Sequence, residues 1–464
     1  MTPGARLQAA IELLAEMQQA TSPADRVSAA FFRARRYMGG QDRRDVVDRA
    51  YRILRRRAAL DWWLDRAAPD STFDVPLDRQ RARVIASLAL VDHWDFDRIA
   101  GSFDGGQYRP PTLDTHERGL LRALSGKTLA DAGQPLPVRY EIPDWLEAEF
   151  RAVFGERLEG ELAAMMNEAA TDLRANTLKA NREEATAALA KEGVEGKPTP
   201  LSPFGIRVTG RPPLASLQCF KAGLIEVQDE GSQLIALMSD AKPSQRVVDF
   251  CAGAGGKTLA LAAAMQNKGK LVATDVLKGR IERASTRLTR AGVHNVERRG
   301  LESERDPWVK RHAAAFDRVL VDAPCSGTGT WRRNPDAKWR LSPSDLDELI
   351  ALQRRILVSA ARLVKPGGRL IYATCSLLPR ENGEQADWFL AQNEAFTALP
   401  VADVWRSVIG GQAPDSSTGP GPYLSLTPAS HGTDGFFVAV MECRKKAEAI
   451  PEAAPDMPSE ATES

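Results

Sequence analysis

Apolar residues recur at intervals of three and four along the first third of the chain, which is the spacing of amphipathic helices. The pattern is clearest in RLQAAIELLAEMQQA, which begins at Arg6, and in RVIASLALVDHW, which begins at Arg83. Turn residues interrupt it at Thr21, Gly39 and Pro110. These intervals predict an all-helical domain over residues 1–140.

A different pattern begins near residue 231, where short β-rich apolar runs alternate with helical segments. The runs are RVVDF, KLVATDV, RVLVDA, RLIYAT and GFFVAVMEC. Helical stretches separate them near Lys257–Gln266, Gly279–Ala291 and Ser344–Val364. This alternation is typical of a doubly wound parallel sheet, with the final run a candidate for an antiparallel strand. It predicts an α/β domain over residues 226–443.

Two further segments complete the organisation. Residues 141–225 follow the proline-rich joint QPLPVRYEIP and mix helical patches with strand-like pieces such as GIRV, which predicts a small α+β unit. Residues 444–464 hold five acidic residues and three prolines without an aromatic residue, which predicts a disordered acidic tail. A chain of 464 residues has room for two or three domains, so this division fits its length.

Charge changes this picture only locally. The whole chain has a net charge of +1, so its overall electrostatics favour no class of partner. Between Arg26 and Arg57, however, there are 11 arginines and three aspartates, a local surplus of +8. Such a run is either a solvated helix face or a patch that binds RNA phosphates.

Cysteine usage narrows the function classes. The five cysteines are widely spaced without a CxxC pair, and the chain has only five histidines, which argues against a zinc site and a disulfide framework. Free cytosolic thiols and no bound metal are expected. The start MTPGARLQAA lacks a signal-peptide pattern and no run of 18 apolar residues occurs, so a soluble cytoplasmic protein without a membrane partner is predicted.

A glycine-rich loop, CAGAGGKT, follows the apolar run RVVDF. Gly253, Gly255 and Gly256 let the backbone turn tightly and approach a ligand before a helix begins. Two named phosphate motifs fail, because Cys251 stands where a P-loop needs its first glycine and Thr258 where GxGxxG needs its last. A nucleoside triphosphate or a dinucleotide is therefore disfavoured.

An acidic residue at the end of the next run supports a nucleoside ligand. Asp275 closes KLVATD, 20 residues after Gly255, where a carboxylate can accept hydrogen bonds from both ribose hydroxyls. Together with a loop that lacks a phosphate motif, this favours S-adenosylmethionine over NAD. The alternative is that Asp275 caps the helix after Val276.

Two cysteine motifs carry the candidate chemistry: DAPCSGTG, which begins at Asp322, and TCS, which begins at Thr374. Cys325 lies 50 positions before Cys375, and each follows an apolar strand-like run. Since this interval is about what separates neighbouring strands of a parallel sheet, both thiols are expected in one cleft. Two thiols at adjacent strand ends suggest covalent chemistry.

CAGAGGKT, DAPCSGTG, TCS and HGTDGFF, in this order, resemble the RNA cytosine-5 methyltransferase family that includes ribosomal RNA small subunit methyltransferase B and the nucleolar Sun-type enzymes. The likeness extends from LRANTLK at Leu173 through QDEGSQL at Gln228 to Cys443. It implies a Rossmann-like S-adenosylmethionine-dependent methyltransferase sheet over residues 226–443, with a small RNA-recognition-like subdomain before it. DRRDVVDRAYRILRR, which begins at Asp42, also resembles part of a NusB-like RNA-binding domain.

The chemistry of 5-methylcytosine formation needs such thiols. Carbon 5 of cytosine is too weak a nucleophile to attack a sulfonium methyl group until a thiolate adds to carbon 6. A second acid/base group can then assist removal of the carbon 5 proton and release of the product. The resemblance implies that Cys375 is the nucleophile, that Cys325 assists release and that Asp322 contacts the cytosine or the cofactor. DNA cytosine methyltransferases instead attack with the cysteine of a Pro-Cys motif, so the presence of both motifs favours RNA.

The resemblance also implies a set of cofactor-binding residues, in which this chain departs from the family pattern at two places. Gly253-Ala254 stands where the family commonly has Ala-Pro. The family usually has an aspartate after the third strand, whereas the segment NVERRGLESE has none, which leaves Glu302 as the closest substitute by spacing. The predicted cofactor-binding residues are Cys251, Ala252, Gly253, Ala254, Gly255, Gly256, Lys257, Asp275, Glu302 and Asp322.

The expected substrate is RNA, of the 16S ribosomal type, in a region where the target base can leave its stack. The segment WRRNPDAKWR, which begins at Trp331, combines basic residues with two tryptophans and is either an RNA-contacting loop or a solvated one. A monomer is expected. The alternatives are a transfer RNA substrate, a catalytically silent RNA-binding assembly factor, and a thiol redox pair formed by Cys325 and Cys375.

Overall fold

The computed structural model describes residues 1–67 and 76–444. Its first part is helical, and turns fall at the three predicted interruptions. Leu7, Ile11 and Leu14 of the first helix are buried, as their spacing predicts. Helices α1 to α8 span Pro3–Gln19, Ala24–Ala34, Gly40–Leu54, Arg57–Ala67, Pro76–Leu90, Phe96–Ser102, Thr115–Leu124 and Leu136–Arg139.

A four-stranded antiparallel sheet follows, with strand order β2-β3-β1-β4. Its core contains Leu173, Ile206 and Ile225, against which Leu189 of a covering helix packs. The strands are β1 (Thr171–Ala175), β2 (Gly196–Pro198), β3 (Gly205–Val208) and β4 (Ile225–Val227), and the helices are α11 (Arg182–Lys191) and α12 (Gln218–Lys221).

Helices α9 (Glu147–Phe154) and α10 (Leu158–Met166) precede this sheet in the chain but pack elsewhere. Their core side chains, including Phe150 and Leu162, lie against Trp331 and Leu378 of the C-terminal part. Where one domain ends and the next begins therefore stays a prediction.

The C-terminal part is built on an eight-stranded sheet with the path β10-β12-β9-β8-β5-β6-β7, and β11 pairs with β12. Strands β5 to β9 are parallel, whereas β12 runs antiparallel to both β9 and β10. The strands are β5 (Arg246–Asp249), β6 (Lys270–Asp275), β7 (Val296–Gly300), β8 (Phe316–Asp322), β9 (Val364–Thr374), β10 (Phe396–Leu399), β11 (Leu424–Leu426) and β12 (Phe436–Cys443).

Helices cover both faces of this sheet, which is why its central strands are apolar on both sides. They are α13 (Glu230–Met238), α14 (Gly256–Ala264), α15 (Lys278–Ala291), α16 (Pro307–Arg311), α17 (Pro343–Ala361), α18 (Gly383–Gln392), α19 (Val401–Val408) and α20 (Pro428–His431). The predicted α/β fold class and the antiparallel final strand are confirmed.

The sheet order locates the site. Strand β5 lies between β6 and β8, so the chain leaves it toward one edge of the sheet and later returns on the other side. Such a reversal opens a crevice at the carboxyl ends of the strands, where ligands bind in open α/β sheets.

Two predictions concern the surroundings of the fold. No helix within the two described ranges is long and apolar enough to cross a membrane. The predicted disordered tail lies outside the described residues except for Arg444, whose Nε donates a hydrogen bond to Thr397 Oγ1 at 3.0 Å.

Candidate active site

The crevice at the carboxyl ends of β5, β6, β8 and β9 holds a cavity of about 740 Å³. This volume lies within the range of roughly 300–1,000 Å³ that is usual for small-molecule sites. The structure brings every predicted site residue except Gly255 to its wall, namely Cys251, Ala252, Gly253, Ala254, Gly256, Lys257, Asp275, Glu302, Asp322, Cys325 and Cys375.

Gly255 shapes the glycine loop from behind the wall. It is the N-cap of α14 with φ +80°, and a Cβ there would lie 3.0 Å from Ala284 Cβ. A side chain from α15 holds the same loop, because Arg287 Nη1 donates to the Ala254 carbonyl at 2.9 Å while Arg287 Nη2 pairs with Glu226 of β4 at 3.0 Å. Arg287 therefore links the glycine loop of the eight-stranded sheet to β4 of the four-stranded sheet.

Asp275 holds the loop from the opposite side. Its carboxylate oxygens accept hydrogen bonds from the backbone N–H of Gly253 at 2.8 Å and of Leu277 at 2.7 Å. Asp275 does not cap the following helix, since the N-cap of α15 is Leu277. Each oxygen keeps a second lone pair, and Asp275 lines the cavity, so a ligand hydroxyl can still bind to it.

Asp249 is a cavity residue that the sequence analysis missed. Its side chain is fully buried at the end of β5, and Thr258 Oγ1 donates to Oδ2 at 2.6 Å. Its Oδ1 has no hydrogen-bond partner among the described residues, and burial raises the pKa of this carboxyl to about 7. An acidic residue inside the apolar run RVVDF, directly before the glycine loop, was the signal that could have found it.

The unpaired oxygen of Asp249 bears on which group the cavity fits. A buried acceptor without a partner is costly unless a ligand supplies the donor. The donor-bearing loop, the free lone pairs of Asp275 and the oxygen of Asp249 together suit a ligand that carries hydroxyl and amino groups. The residues present therefore fit S-adenosylmethionine.

The two thiols meet at the far end of this cavity. Strands β8 and β9 are parallel neighbours, with Asp322 opposite Ala373, so their ends deliver Cys325 and Cys375 to the same point. The two sulfur atoms are 3.4 Å apart, and both residues are partly exposed to the cavity. The hydrogen bond with Cys375, and then burial, raise the pKa of the Cys325 thiol well above its ordinary value.

An ion pair stands between the glycine loop and the thiols. Lys257 Nζ lies 2.7 Å from Asp322 Oδ2, and the ring centroid of Phe436 is 5.4 Å from the same nitrogen. Burial alone would lower the pKa of Lys257, but the Asp322 carboxylate raises it above its ordinary value. Lys257 therefore keeps its charge at neutral pH although it is buried.

A second missed residue, Glu381, lies beneath the thiols. It is fully buried, and its carboxylate accepts hydrogen bonds from Ser326, Ser376 and Gln353. Its position in the charged segment TCSLLPRENGEQ gave no sign of burial, because acidic residues are seldom buried without partners.

The HGTDGFF motif packs against the DAPCSGTG motif through the backbone. Gly329 N–H donates to the Cys375 carbonyl at 3.0 Å, and Gly435 N–H donates to the Gly329 carbonyl at 2.9 Å. A Cβ on Gly329 would lie 2.4 Å from the Gly435 carbonyl oxygen, so neither glycine has room for a side chain. This contact places Phe436 beside Lys257.

Glu302 differs from Asp275 and Asp322, the other acidic residues predicted to bind the cofactor, because it is exposed. Its backbone N–H donates to Asp306 Oδ2 at 3.0 Å, and the other oxygen of Asp306 accepts from Trp308 N–H at the start of α16. The first aspartate after β7 in the chain, Asp306, is therefore occupied in capping a helix. Glu302 lines the cavity, and its contact with adenine stays a prediction.

The segment WRRNPDAKWR is not a solvated loop, and the burial of Trp331 contradicts base stacking by that side chain. Trp331 and Lys338 are buried, and Arg332 Nε pairs with the buried Asp434 at 2.6 Å. Trp339 Nε1 donates to the Leu54 carbonyl of α3 at 3.3 Å. The segment joins the helical part to the C-terminal part, and Trp331 is not free to stack on a base.

The arginine-rich segment is also partly occupied by contacts within the protein. Arg55 Nη1 donates to the Arg332 carbonyl, and Arg49 and Arg52 both pair with Asp92. Arg26, Arg33 and Arg36 are exposed. The structure thus divides this segment between internal pairing and exposed charge.

Comparison with known proteins relates this geometry to a family. The family described as "16S rRNA methyltransferase RsmB/F" matches residues 236–442, and the one described as "Methyltr_RsmF/B-like, ferredoxin-like domain" matches residues 142–215. The probable ribosomal RNA small subunit methyltransferase B of Synechocystis is 31% identical over 414 residues, which covers 86% of this chain and 90% of that protein.

Two further similarities agree. The ribosomal RNA small subunit methyltransferase B of Shewanella oneidensis is 32% identical over 321 residues, covering 69% of this chain and 71% of that protein. The crystal structure of PH0851 superimposes with a TM-score of 0.76 and 28% identity, covering 95% of this chain and 99% of that one.

Proposed function

Because this chain belongs to the RsmB/F family of ribosomal RNA small subunit methyltransferases, we propose that it forms 5-methylcytosine in small-subunit ribosomal RNA through a covalent bond between Cys375 and the base. Members of this family use S-adenosylmethionine, which supplies a methyl group activated on a sulfonium. The observation that carries the proposal is the pair of sulfur atoms 3.4 Å apart at the end of the cofactor cavity.

Cys375 begins the proposed reaction. Its thiolate adds to carbon 6 of the cytosine, and the electron pair of the 5,6 double bond moves toward carbon 5, which then accepts the methyl group. Cys325 next removes the proton from carbon 5. That electron pair re-forms the 5,6 double bond, and the Cys375 sulfur leaves with its bonding pair, which returns the free thiolate.

The coupling between the two thiols supports these different roles. The largest cause that raises the pKa of Cys325 is its hydrogen bond with Cys375, and burial comes second. Before the reaction Cys325 therefore holds its proton and is a poor nucleophile. Once Cys375 is bonded to the base it no longer raises the pKa of Cys325 through its charge, so that pKa falls. Cys325 then releases its proton to solvent, and the resulting thiolate is the base that removes the proton from carbon 5.

The other cavity residues bind and orient. Asp322, held by Lys257, offers a carboxylate oxygen to the exocyclic amino group of the cytosine, next to the sulfur pair. Asp275 accepts hydrogen bonds from the ribose hydroxyls of the cofactor, Asp249 accepts from its amino group, and Glu302 lies at the adenine end. The glycine loop from Cys251 to Lys257 supplies backbone contacts.

The experiment that tests the proposal traps the covalent intermediate. Purified wild type, Cys375→Ala, Cys325→Ala and the control Cys443→Ala are incubated with total RNA and labelled S-adenosylmethionine, then separated on denaturing gels. We expect Cys375→Ala to lose methyl transfer and form no adduct, because the attacking sulfur is gone. Cys325→Ala should accumulate an RNA–protein adduct, because release is blocked.

Cys443 lies on β12 outside the cavity, so its variant should behave as wild type. An adduct that requires Cys325 and survives loss of Cys375 would reverse the two roles. Failure of the wild type to transfer methyl to any RNA would instead favour the silent assembly factor. Mapping bisulfite-resistant cytosines by reverse transcription in a deletion strain separates ribosomal from transfer RNA.

A further inference from the structure

The residues that follow the two cysteines share one binding partner. Ser326, next to Cys325, donates to the Glu381 carboxylate through its backbone N–H at 2.8 Å and through its hydroxyl at 2.5 Å. Ser376, next to Cys375, donates its hydroxyl to the same carboxylate at 2.5 Å. One side chain therefore connects the two loops that carry the thiols, through the residue that follows each of them.

The surroundings of Glu381 fix it in place. Gln353 Nε2 of α17 donates to its Oε1 at 3.0 Å, and Tyr372 OH of β9 donates to its backbone carbonyl at 2.6 Å. The carboxylate thus accepts four hydrogen bonds in a fully buried position, which is enough to offset the cost of removing it from water. A carboxylate with so many donors has little freedom to move.

The network also fixes the direction of the serine hydroxyls. The hydroxyl hydrogens of Ser326 and Ser376 both point at Glu381. The Ser376 oxygen can therefore act only as an acceptor toward other groups, and it accepts a hydrogen bond from Leu378 N–H at 3.1 Å. Thr328 Oγ1 lies 3.2 Å from the same oxygen and itself accepts Leu377 N–H at 2.8 Å. The TCS loop is therefore held by a chain of bonds that starts at Glu381.

We propose that Glu381 is a positioning residue that sets the separation of the Cys325 and Cys375 thiols by binding the residue after each. Its effect on catalysis rests on the function proposed above, whereas its effect on the thiol separation does not. Glu381 is fully buried and does not belong to the residues that line the cavity. It acts through the two serines, and its loss lets the loops move apart.

The experiment compares Glu381→Ala and Glu381→Gln with the matched control Glu384→Gln, an exposed glutamate in the first turn of α18. Three quantities are measured for each: methyl transfer to RNA, the dissociation constant for S-adenosylmethionine, and the rate at which diamide joins Cys325 to Cys375. In the last assay the two thiols lose two electrons and two protons to diamide, which is reduced to the hydrazine. Peptide mapping by mass spectrometry identifies the disulfide.

We expect the rate of disulfide formation in Glu381→Ala to fall about 10-fold. Without the shared carboxylate, each loop loses charge-assisted hydrogen bonds that hold the two thiols close together. Methyl transfer should fall about 100-fold, since misplacing reacting groups by about 1 Å has that effect. The cofactor dissociation constant and all values for Glu384→Gln should stay within about twofold of wild type.

Glu381→Gln provides a graded comparison. Its amide oxygen can still accept from Ser326 N–H, and a serine hydroxyl can rotate to accept from the new amide group. Both rates should therefore lie between those of wild type and Glu381→Ala, with unchanged cofactor binding. A general loss of structure would weaken cofactor binding as well.

Each outcome decides the proposal. Wild-type disulfide rates in both Glu381 variants would overturn it, and so would a loss of methyl transfer with an unchanged disulfide rate. If Glu381→Ala does not fold, the double variant Ser326→Ala/Ser376→Ala removes the hydroxyl donors instead, and an unchanged disulfide rate there also overturns it. The two proposals can also be separated. If wild type forms the disulfide quickly, the Glu381 variants form it slowly and none of them transfers methyl, the positioning role is supported and the proposed function is contradicted.

Discussion

At the scale of single residues, Asp249 has the most unusual environment of the cofactor cavity. One oxygen is bound by Thr258 and the other has no donor among the residues that the structure describes. Burial raises the pKa of this carboxyl from 3.8 to about 7. The free protein therefore carries a group whose charge is unfavourable until a donor arrives with the cofactor.

This environment predicts a pH dependence. Between about pH 4 and pH 7 the folded protein keeps a proton on Asp249 that the unfolded chain has released, so the free energy of unfolding falls as the pH rises. Asp249→Asn keeps the bond from Thr258 and does not titrate. Between pH 4 and pH 8, wild type should lose about 4 kcal/mol more of its free energy of unfolding than this variant, as measured by urea unfolding without cofactor.

The exposed Asp97 of α6 provides the control, and Asp97→Asn should show the wild-type pH profile. Equal pH profiles for wild type and Asp249→Asn would contradict the raised pKa. Adding S-adenosylmethionine should reduce the difference, because a donor at Oδ1 favours the charged form.

Sequence could predict residues whose role depends on their place in a motif. Cys325, Cys375 and Asp322 lie at strand ends, and the apolar runs before them fix those ends, so their meeting in one cleft followed from the pattern. Asp249 and Glu381 could not be found in this way. Their importance depends on burial and on partners far along the chain, such as Gln353, which only folding brings together.

At the scale of secondary-structure elements, α15 connects the small sheet to the glycine loop. Arg287 of this helix binds the Ala254 carbonyl at 2.9 Å and the Glu226 carboxylate of β4 at 3.0 Å. Asn176, in the LRANTLK motif, donates to the carbonyl of Ala291 at the end of the same helix at 2.8 Å. The small sheet therefore supports the cofactor loop through α15.

We expect Arg287→Met to weaken S-adenosylmethionine binding about 10-fold, because a hydrogen bond from a charged donor contributes roughly 1.5–3 kcal/mol. The methionine keeps the apolar stem of the side chain and removes only the guanidinium. Isothermal titration calorimetry measures the dissociation constant. Arg283→Met, an exposed position on the same helix, is the control and should bind as wild type.

Equal affinities for the two arginine variants would show that the glycine loop holds its shape without Arg287. These two variants are informative because Gly253-Ala254 stands where the family commonly has Ala-Pro. Without the proline ring to fix φ, the glycine loop depends more on the hydrogen bond from Arg287 to keep its shape.

The elements themselves were predicted unevenly. The runs of β5, β6, β8, β9 and β12 were found because long apolar stretches are typical of buried strands. The strands β10 and β11 were not, because they have only four and three residues and pair at the edge of the sheet. The WRRNPDAKWR segment was misassigned because its composition suits a protein partner as well as RNA.

At the scale of the whole molecule, the WRRNPDAKWR segment joins the N-terminal helices to the catalytic part. Helix α2 begins after Pro23, which has no side chain able to cap it, and Asp336 of this segment accepts the Ala24 N–H at 3.1 Å instead. Trp339 donates to Leu54 nearby. The first turn of an N-terminal helix is thus completed by a residue of the catalytic part.

Asp336→Ala should therefore destabilise the contact between the two parts by about 1–2 kcal/mol, the usual cost of losing a helix N-cap. Calorimetry should show a lower or split unfolding transition, and amide hydrogens of α2 should exchange faster. Asp347→Ala removes an exposed ion pair with Arg380 and should change stability by less than about 0.5 kcal/mol. The same effect from both variants would contradict the capping role.

The order of parts along the chain followed from hydrophobic periodicity and from the family resemblance, but their contacts did not. Periodicity describes one element at a time, whereas docking depends on which exposed residues find a complementary surface. Arg55 illustrates the difference. It belongs to a run that suggested RNA binding, and it is engaged with the Arg332 carbonyl of the same chain.

Strand β12 is made last of the described strands, yet it lies between β9 and β10 and its first residue, Phe436, stands beside Lys257. During translation, the nascent polypeptide therefore carries both sulfur atoms on a sheet whose β9 edge is unpaired until codon 443 has been read and β12 has left the exit tunnel. A premature stop codon shortly before Phe436 would remove this internal strand as well as the tail. Such a product would lack the strand that joins β9 to β10 and the Phe436 side chain that stands beside Lys257.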